Sequence, residues 1–215
     1  MSPVMIQQAA QWSADGCGLL GEPGPQVAAG LPVWNDVCTL PFERFPRLDP
    51  LSKLVNVLAE WLLVKQPVSA DVGLVLATRY GCVEADLAYY RTAVNTPELA
   101  SPQLFPYTLP SAGLAEAAIR HRLHGPAAVF LQEPGLNRAF LQARRWLETG
   151  GVPQGLVIYA DALLTEGALF LQVRPRIDGW AWLLGPEGKW ALPEMAGKKN
   201  IRPAELFAEL EKQVI

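Results

Sequence analysis

Apolar positions follow two different periods along the chain. Leu51, Leu54, Val55, Leu58 and Leu62 recur at the spacing of one helix face, and Asp49 with Pro50 supplies a cap and a first helical residue just before them. A second stripe, Leu136, Ala139, Phe140, Ala143 and Leu147, leaves Arg138, Gln142, Arg145 and Glu148 turned elsewhere, which predicts another core-packed helix. Residues 84–94 also read as a helix, and Pro203 opens a final one. Between them stand apolar segments of strand length at 4–11, 72–78, 156–160 and 168–173. The run at 72–78 has no polar interruption until Thr78, which predicts a strand buried on both faces. Strands alternating with helices predict α/β architecture.

Punctuation divides the rest. Residues 16–46 hold many of the glycines and prolines and predict a long irregular excursion, an insertion or a lid. The segment Asp161-Ala162-Leu163-Leu164-Thr165-Glu166-Gly167 reads as a short connector between the two late strands. One domain spanning 1–215 accommodates all of this.

Composition narrows the function classes. The chain has 215 residues and is 50% apolar, enough for a substantial core, and its formal charge of −3 provides no basic field for neutralising phosphates. Nucleic acid is therefore not an expected partner. No segment approaches the roughly 18 to 20 continuous apolar residues of a membrane span, and the N-terminus lacks the basic start and apolar run of a signal peptide, so a cytoplasmic protein is expected. Cys17, Cys38 and Cys82 are widely spaced and odd in number, which favours reduced, structural thiols over a disulfide framework.

The segment ASPQLFPYTLPSAGLAEAAIRHRLHGPAAVFLQEPGLNRAFLQA, residues 100–143, resembles the β-ketoacyl synthase family, in which SPxLFxxTxPxxxxxxxAIRxxLxGP leads into a strand, a tight turn bearing the catalytic cysteine, and a Gly-Leu opening a helix. Two weaker matches accompany it. Ala77-Thr78-Arg79-Tyr80-Gly81-Cys82 resembles the family's Gly-Thr-Gly-like turn, and Tyr159-Ala160-Asp161-Ala162 resembles its Gly-Gly-Ala-Asp-Ala, with Tyr159 in place of a glycine. The resemblance covers residues 50–173, whereas 176–215 read as a divergent ending. It implies the N-terminal half of a thiolase-like fold, a mixed sheet flanked by helices.

The same resemblance exposes what is missing. Family members acylate a cysteine at a helix N-terminus, where the positive helix end favours the thiolate, and use two histidines from the second half of the fold. Here the turn is two residues short. Counting forward places Pro134 at the cysteine position, and counting back places Gln132 there; neither is a nucleophile. Gln132-Glu133-Pro134-Gly135-Leu136 is similar to the Gln-Ala-Gly-Gly-Leu of chain-length-factor subunits. Gln132 either offers its amide to a pocket in place of the sulfur or merely borders the helix, and the shortened, proline-bearing loop favours the second role. Glu133 fits a charge–dipole neighbour of the helix start better than a general base.

The remaining candidates carry less. His121 and His124 sit at the end of a helix without a carboxylate cluster, so a surface or helix C-terminal role is expected and no metal. Cys82 fits a small scaffold residue rather than a substitute nucleophile. Phe105, Tyr107, Phe130 and Leu131 match positions near the family's dimer seam and acyl tunnel, so they are pocket or interface candidates, with ordinary core as the competing role. The strand at 127–131 is the one that, in the family, pairs across the dimer.

The resemblance implies a non-catalytic ketosynthase-like subunit, similar to chain length factors and to the short aryl polyene-type proteins, in fatty acid, polyketide or aryl polyene biosynthesis. Its expected partner is a full-length β-ketoacyl synthase, or a second copy of itself, with acyl carrier protein engaged indirectly. No cofactor is expected. The alternatives are a residual decarboxylase or acyltransferase on acyl carrier protein, and a homodimeric acyl-binding scaffold.

Overall fold

The computed structural model describes residues 4–14, 16–22, 24, 30–95, 100–131, 136–164, 176–191 and 201–214. Its strands are β1 (Met5–Ser13), β2 (Gly16–Leu19), β3 (Gly73–Thr78), β4 (Ala127–Leu131), β5 (Gly155–Leu163), β6 (Arg176–Gly185) and β7 (Trp190–Ala191). Its helices are α1 (Trp34–Val37), α2 (Pro50–Lys65), α3 (Val83–Asn95), α4 (Ala112–His121), α5 (Asn137–Glu148) and α6 (Pro203–Glu211). The strands form one mixed sheet in the order β2-β1-β6-β5-β3-β4, with β7 also on β1. The β3, β4 and β5 strands are parallel, and β6 runs antiparallel to both β5 and β1.

Period-two alternation splits the core between the two sheet faces. Leu74, Leu76, Leu156, Ile158, Ala181 and Leu183 point into the layer built by α2 and α4. Val75, Ala77, Val157, Tyr159, Trp180 and Trp182 point into the layer built by α5 and α6. As expected, α2 starts at Asp49, whose carboxylate accepts from Leu51 N at 3.0 Å and Ser52 N at 3.3 Å. It stops at an extended Gln66 ahead of Pro67. Gly179 lets α2 approach the sheet, because a Cβ there would lie 2.7 Å from Leu58 Cδ1.

Three expectations change. The α2 helix is buried on more than the one face its stripe predicts: Val57, Ala59, Trp61 and Leu63 are covered as well. The cover comes from the excursion, where Trp61 Nε1 donates to Val37 O at 2.9 Å. That excursion also opens with β2, a strand paired along β1, so its first residues extend the sheet. Next, Asp161, Ala162 and Leu163 belong to β5, not to a connector. The expected strand at 168–173 lies outside the described residues. The ending at 176–215 contributes β6, which stands between β5 and β1 in the middle of the sheet.

Candidate functional site

Parallel strands aim their carboxyl ends to one side, and open α/β sheets place their ligands there. The carboxyl ends of β3, β4 and β5 lie side by side at that end of the sheet. The turn after β3 is organised by a fully buried carboxylate: Asp161 Oδ1 accepts from Thr78 Oγ1 at 2.9 Å, Arg79 N at 2.8 Å and Tyr80 N at 3.3 Å. Its Oδ2 accepts from the Tyr159 hydroxyl at 2.7 Å. Gly81, at φ +60°, closes the turn and donates to Thr78 Oγ1 at 3.0 Å. Burial, together with the Asp161 charge, pushes the Tyr159 phenol far above its ordinary range. Asp161 is thus a structural knot whose acceptors are filled.

Gln132, Glu133 and Pro134 lie outside the described residues. The chain is described again at Leu136, which stands at the N-cap of α5 without a side-chain cap. Its backbone N–H instead donates to Ile201 O at 3.1 Å, and Ile201 N donates to Asn137 Oδ1 at 3.1 Å. The start of the helix that would support a thiolate is therefore clasped by the chain's own residue 201.

Cys82 begins the next turn of chain and is buried, with Sγ donating to Thr108 O at 2.8 Å. Burial first, then the charges of Asp86 and Asp49, push its thiol up to about 12. Such a thiol stays protonated at neutral pH and is a poor nucleophile. His124 is exposed. His121 corrects the surface expectation, because its side chain is only 13% exposed and its Nε2 sits 3.1 Å from Glu60 Oε2. Glu60 also receives Arg120 Nε at 2.6 Å and Nη2 at 2.7 Å, while the Arg120 guanidinium lies over the Trp34 and Phe42 rings. This buried pair ties α4 and the excursion to α2, and no single-residue signal in the sequence points to it. Burial alone would raise the Glu60 carboxyl, but the Arg120 and His121 hydrogen bonds and charges outweigh it and hold it below the ordinary range.

The aromatic candidates do not form one pocket. Tyr107 packs against the α2-side core, with its hydroxyl 3.4 Å from Glu116 Oε1. Phe130 packs against the opposite core layer. Phe105 is exposed and its ring lies 5.6 Å from that of Tyr89. Leu131 is 61% exposed, at the end of a strand that, among the described residues, pairs only with β3. The Leu131 and Pro110 side chains both border Gly81, 3.3 and 3.4 Å from where a Cβ would stand, which brings the exposed Leu109 segment close to the end of β4. Among the described residues no group of three His, Cys, Asp or Glu side chains could hold a metal, and no helix is long and apolar enough to cross a membrane.

No family model and no curated protein matches the chain in sequence. Solved structures do match in shape. A chain of the ketosynthase (ApeO) in complex with its chain length factor (ApeC) from Xenorhabdus doucetiae superposes with TM-score 0.64 at 15% identity, covering 99% of this chain and 91% of that one. The chain has a thiolase-like, ketosynthase-type fold. The ishigamide ketosynthase/chain length factor matches with TM-score 0.65 at 18% identity over 93% of this chain. A type II polyketide synthase ketosynthase complexed with its acyl-carrier protein and bound to the hexaketide matches with TM-score 0.58 at 10% identity over 86%. This chain spans 64% and 58% of the length of those two. The first of these superpositions, over 99% of this chain, extends beyond residues 50–173.

Proposed function

We propose that this chain is a non-catalytic ketosynthase-like subunit that pairs with a full-length ketosynthase in the manner of a chain length factor. In that role it shapes the cavity in which an acyl or polyene chain grows on acyl carrier protein in the cytoplasm. The observation that carries the reading is the superposition, over 99% of this chain and 91% of that one, on a chain of a ketosynthase–chain length factor complex. Three features support the loss of condensing chemistry. The nucleophile turn holds Gln132, Glu133 and Pro134 in place of a cysteine. The Leu136 N–H at the helix start is occupied by Ile201 O. The thiol of Cys82 is buried and held protonated.

Pairing is supported by the β4 edge. An edge strand invites another chain, and the exposed Leu131 at its end and Leu109 beside Pro110 are apolar surface of the kind that marks interfaces.

The test is co-expression with a full-length ketosynthase and its carrier protein, followed by native mass spectrometry. A one-to-one heterodimer is expected. A homodimer unaffected by the ketosynthase would replace this reading with a self-pairing scaffold. Conversion of malonyl-ACP to acetyl-ACP by the isolated chain would replace it with a residual decarboxylase.

A further inference from the structure

Two neighbouring helices on one face of the sheet turn opposite charges to solvent. The buried residues Ala139, Phe140 and Ala143 of α5 and Leu206, Phe207 and Leu210 of α6 enter the same core layer, and the Leu136–Ile201 clasp holds the two helix starts together. Their outer faces lie side by side. The exposed residues of α5 are Arg138, Leu141 and Arg145, spaced three and four apart and so on one face, and the helix's single carboxylate, Glu148, is taken by Arg144. On α6, Glu205, Glu209 and Glu211 are exposed, with Lys212 just after them as the one cation. Among the described residues, the side chains of Arg138, Arg145 and these three glutamates have no ion-pair partner.

Helix stability does not account for this placement. A cation in the first turn of a helix and a carboxylate in the last turn both oppose the helix dipole. Yet Arg138 is the second residue of α5, and Glu209 and Glu211 stand in the last turn of α6, which has no basic residue. Charge of opposite sign brought against each would offset that cost. A chain with formal charge −3 repels its own copies unless complementary patches meet. This face is complementary to itself. A two-fold axis that lays α5 of one copy across α6 of the other makes every contact twice, whereas α5 on α5 would set arginines against arginines.

We propose that the α5–α6 face joins two copies of this chain, with Arg138 and Arg145 of each copy set against Glu205, Glu209 and Glu211 of the other and the half-exposed Leu141 covered between them. Exposed ion pairs are individually weak, so the dimer is weak and sensitive to salt. The β4 strand stays free, because it lies at the edge of the sheet whereas α5 and α6 cover its face, so the inference does not rest on ketosynthase pairing.

The test is analytical ultracentrifugation of the full chain in about 10 mM and about 1 M sodium chloride, between which the screening length falls from about 30 Å to about 3 Å. Dimerisation is expected at low salt and its loss at high salt. Arg138→Glu/Arg145→Glu should weaken it by about tenfold or more, since the contacts turn repulsive in both copies, and Glu205→Arg/Glu209→Arg should do the same. The chain carrying all four substitutions keeps the parent's net charge and regains complementarity, so it should dimerise again. Leu131→Glu, at the β4 edge, should leave the association unchanged, and circular dichroism checks that each variant is folded. The inference is overturned if the parent is monomeric at low salt, if either charge-reversed pair associates as tightly as the parent, or if the folded chain with all four substitutions stays monomeric. It is overturned equally if Leu131→Glu abolishes the dimer, which would place the contact at β4.

Discussion

Strands β3 and β4 are parallel neighbours, paired from Leu74 with Ala127 to Thr78 with Leu131, and both are strongly apolar. Their environments differ sharply. Every residue of β3 is buried, whereas β4 has exposed ends and a half-buried middle. Apolar sequence alone thus does not distinguish a strand that completes a core from one that waits at an edge. The β3 strand has β5 on one side and β4 on the other, with helices over both faces. The β4 strand has β3 on one side and, among the described residues, no strand on the other.

The largest contrast should appear in stability. Leu76 of β3 is fully buried, so Leu76→Ala should cost about 2–5 kcal/mol through lost burial and a cavity. Leu131→Ala at the edge should cost under about 0.5 kcal/mol. Urea denaturation of the isolated chain measures both, and equal costs would mean that the β4 edge is covered by the chain itself.

A smaller effect separates the supports behind the strands. The α4 helix, which leads into β4, is tied to α2 by the buried Glu60–Arg120 pair, whereas β6, paired along β5, carries the Arg176–Asp178 pair. The two carboxylates titrate in opposite senses. Glu60 is held below its ordinary value by its partners, so its contribution is present above the unfolded value and drains away as pH falls through the lower folded one. Asp178 is raised by burial to about 6, so its contribution is present at low pH and is lost as pH rises through about 6. Acidification from neutral should therefore first increase protection at β5 and β6 and then, below the ordinary glutamate range, release α4 and β4. Amide hydrogen exchange across a pH series measures the order, and simultaneous release of both regions would sink the account.

Local chemistry made some of this fold legible in the sequence. Asp49 and Pro50 announce α2, the uninterrupted 73–78 segment announces β3, and the Leu136–Phe140–Ala143 stripe announces α5, because each signal lies within a few residues of what it specifies. The central place of β6 was not legible, since it depends on pairing with β1 nearly the whole chain length away. The same holds for the site. The absent cysteine is visible directly, but the closure of α5 by Ile201 arises only when distant segments meet. His121 divides in the same way, because its place as the last residue of α4 is local and legible, whereas its burial against Glu60 is not.

The smallest expected effect on the fold is also the sharpest test of the edge. Leu131→Glu and Leu109→Glu place charge on side chains already more than half exposed, so the stability of the isolated chain should stay within about 0.5 kcal/mol of the parent. In a heterodimer built on β4, the same carboxylates would be taken from water into an apolar seam without a partner, which is strongly unfavourable. Co-purification with the ketosynthase should then be lost while the circular dichroism and urea midpoint of the variants remain unchanged. Retained pairing would move the interface away from β4 and leave its open edge without an assembly role. Lost pairing at constant stability would mean that β3 and β4 divide one apolar pattern between two tasks, with β3 closing the core of this chain and β4 reserving its outer side for another.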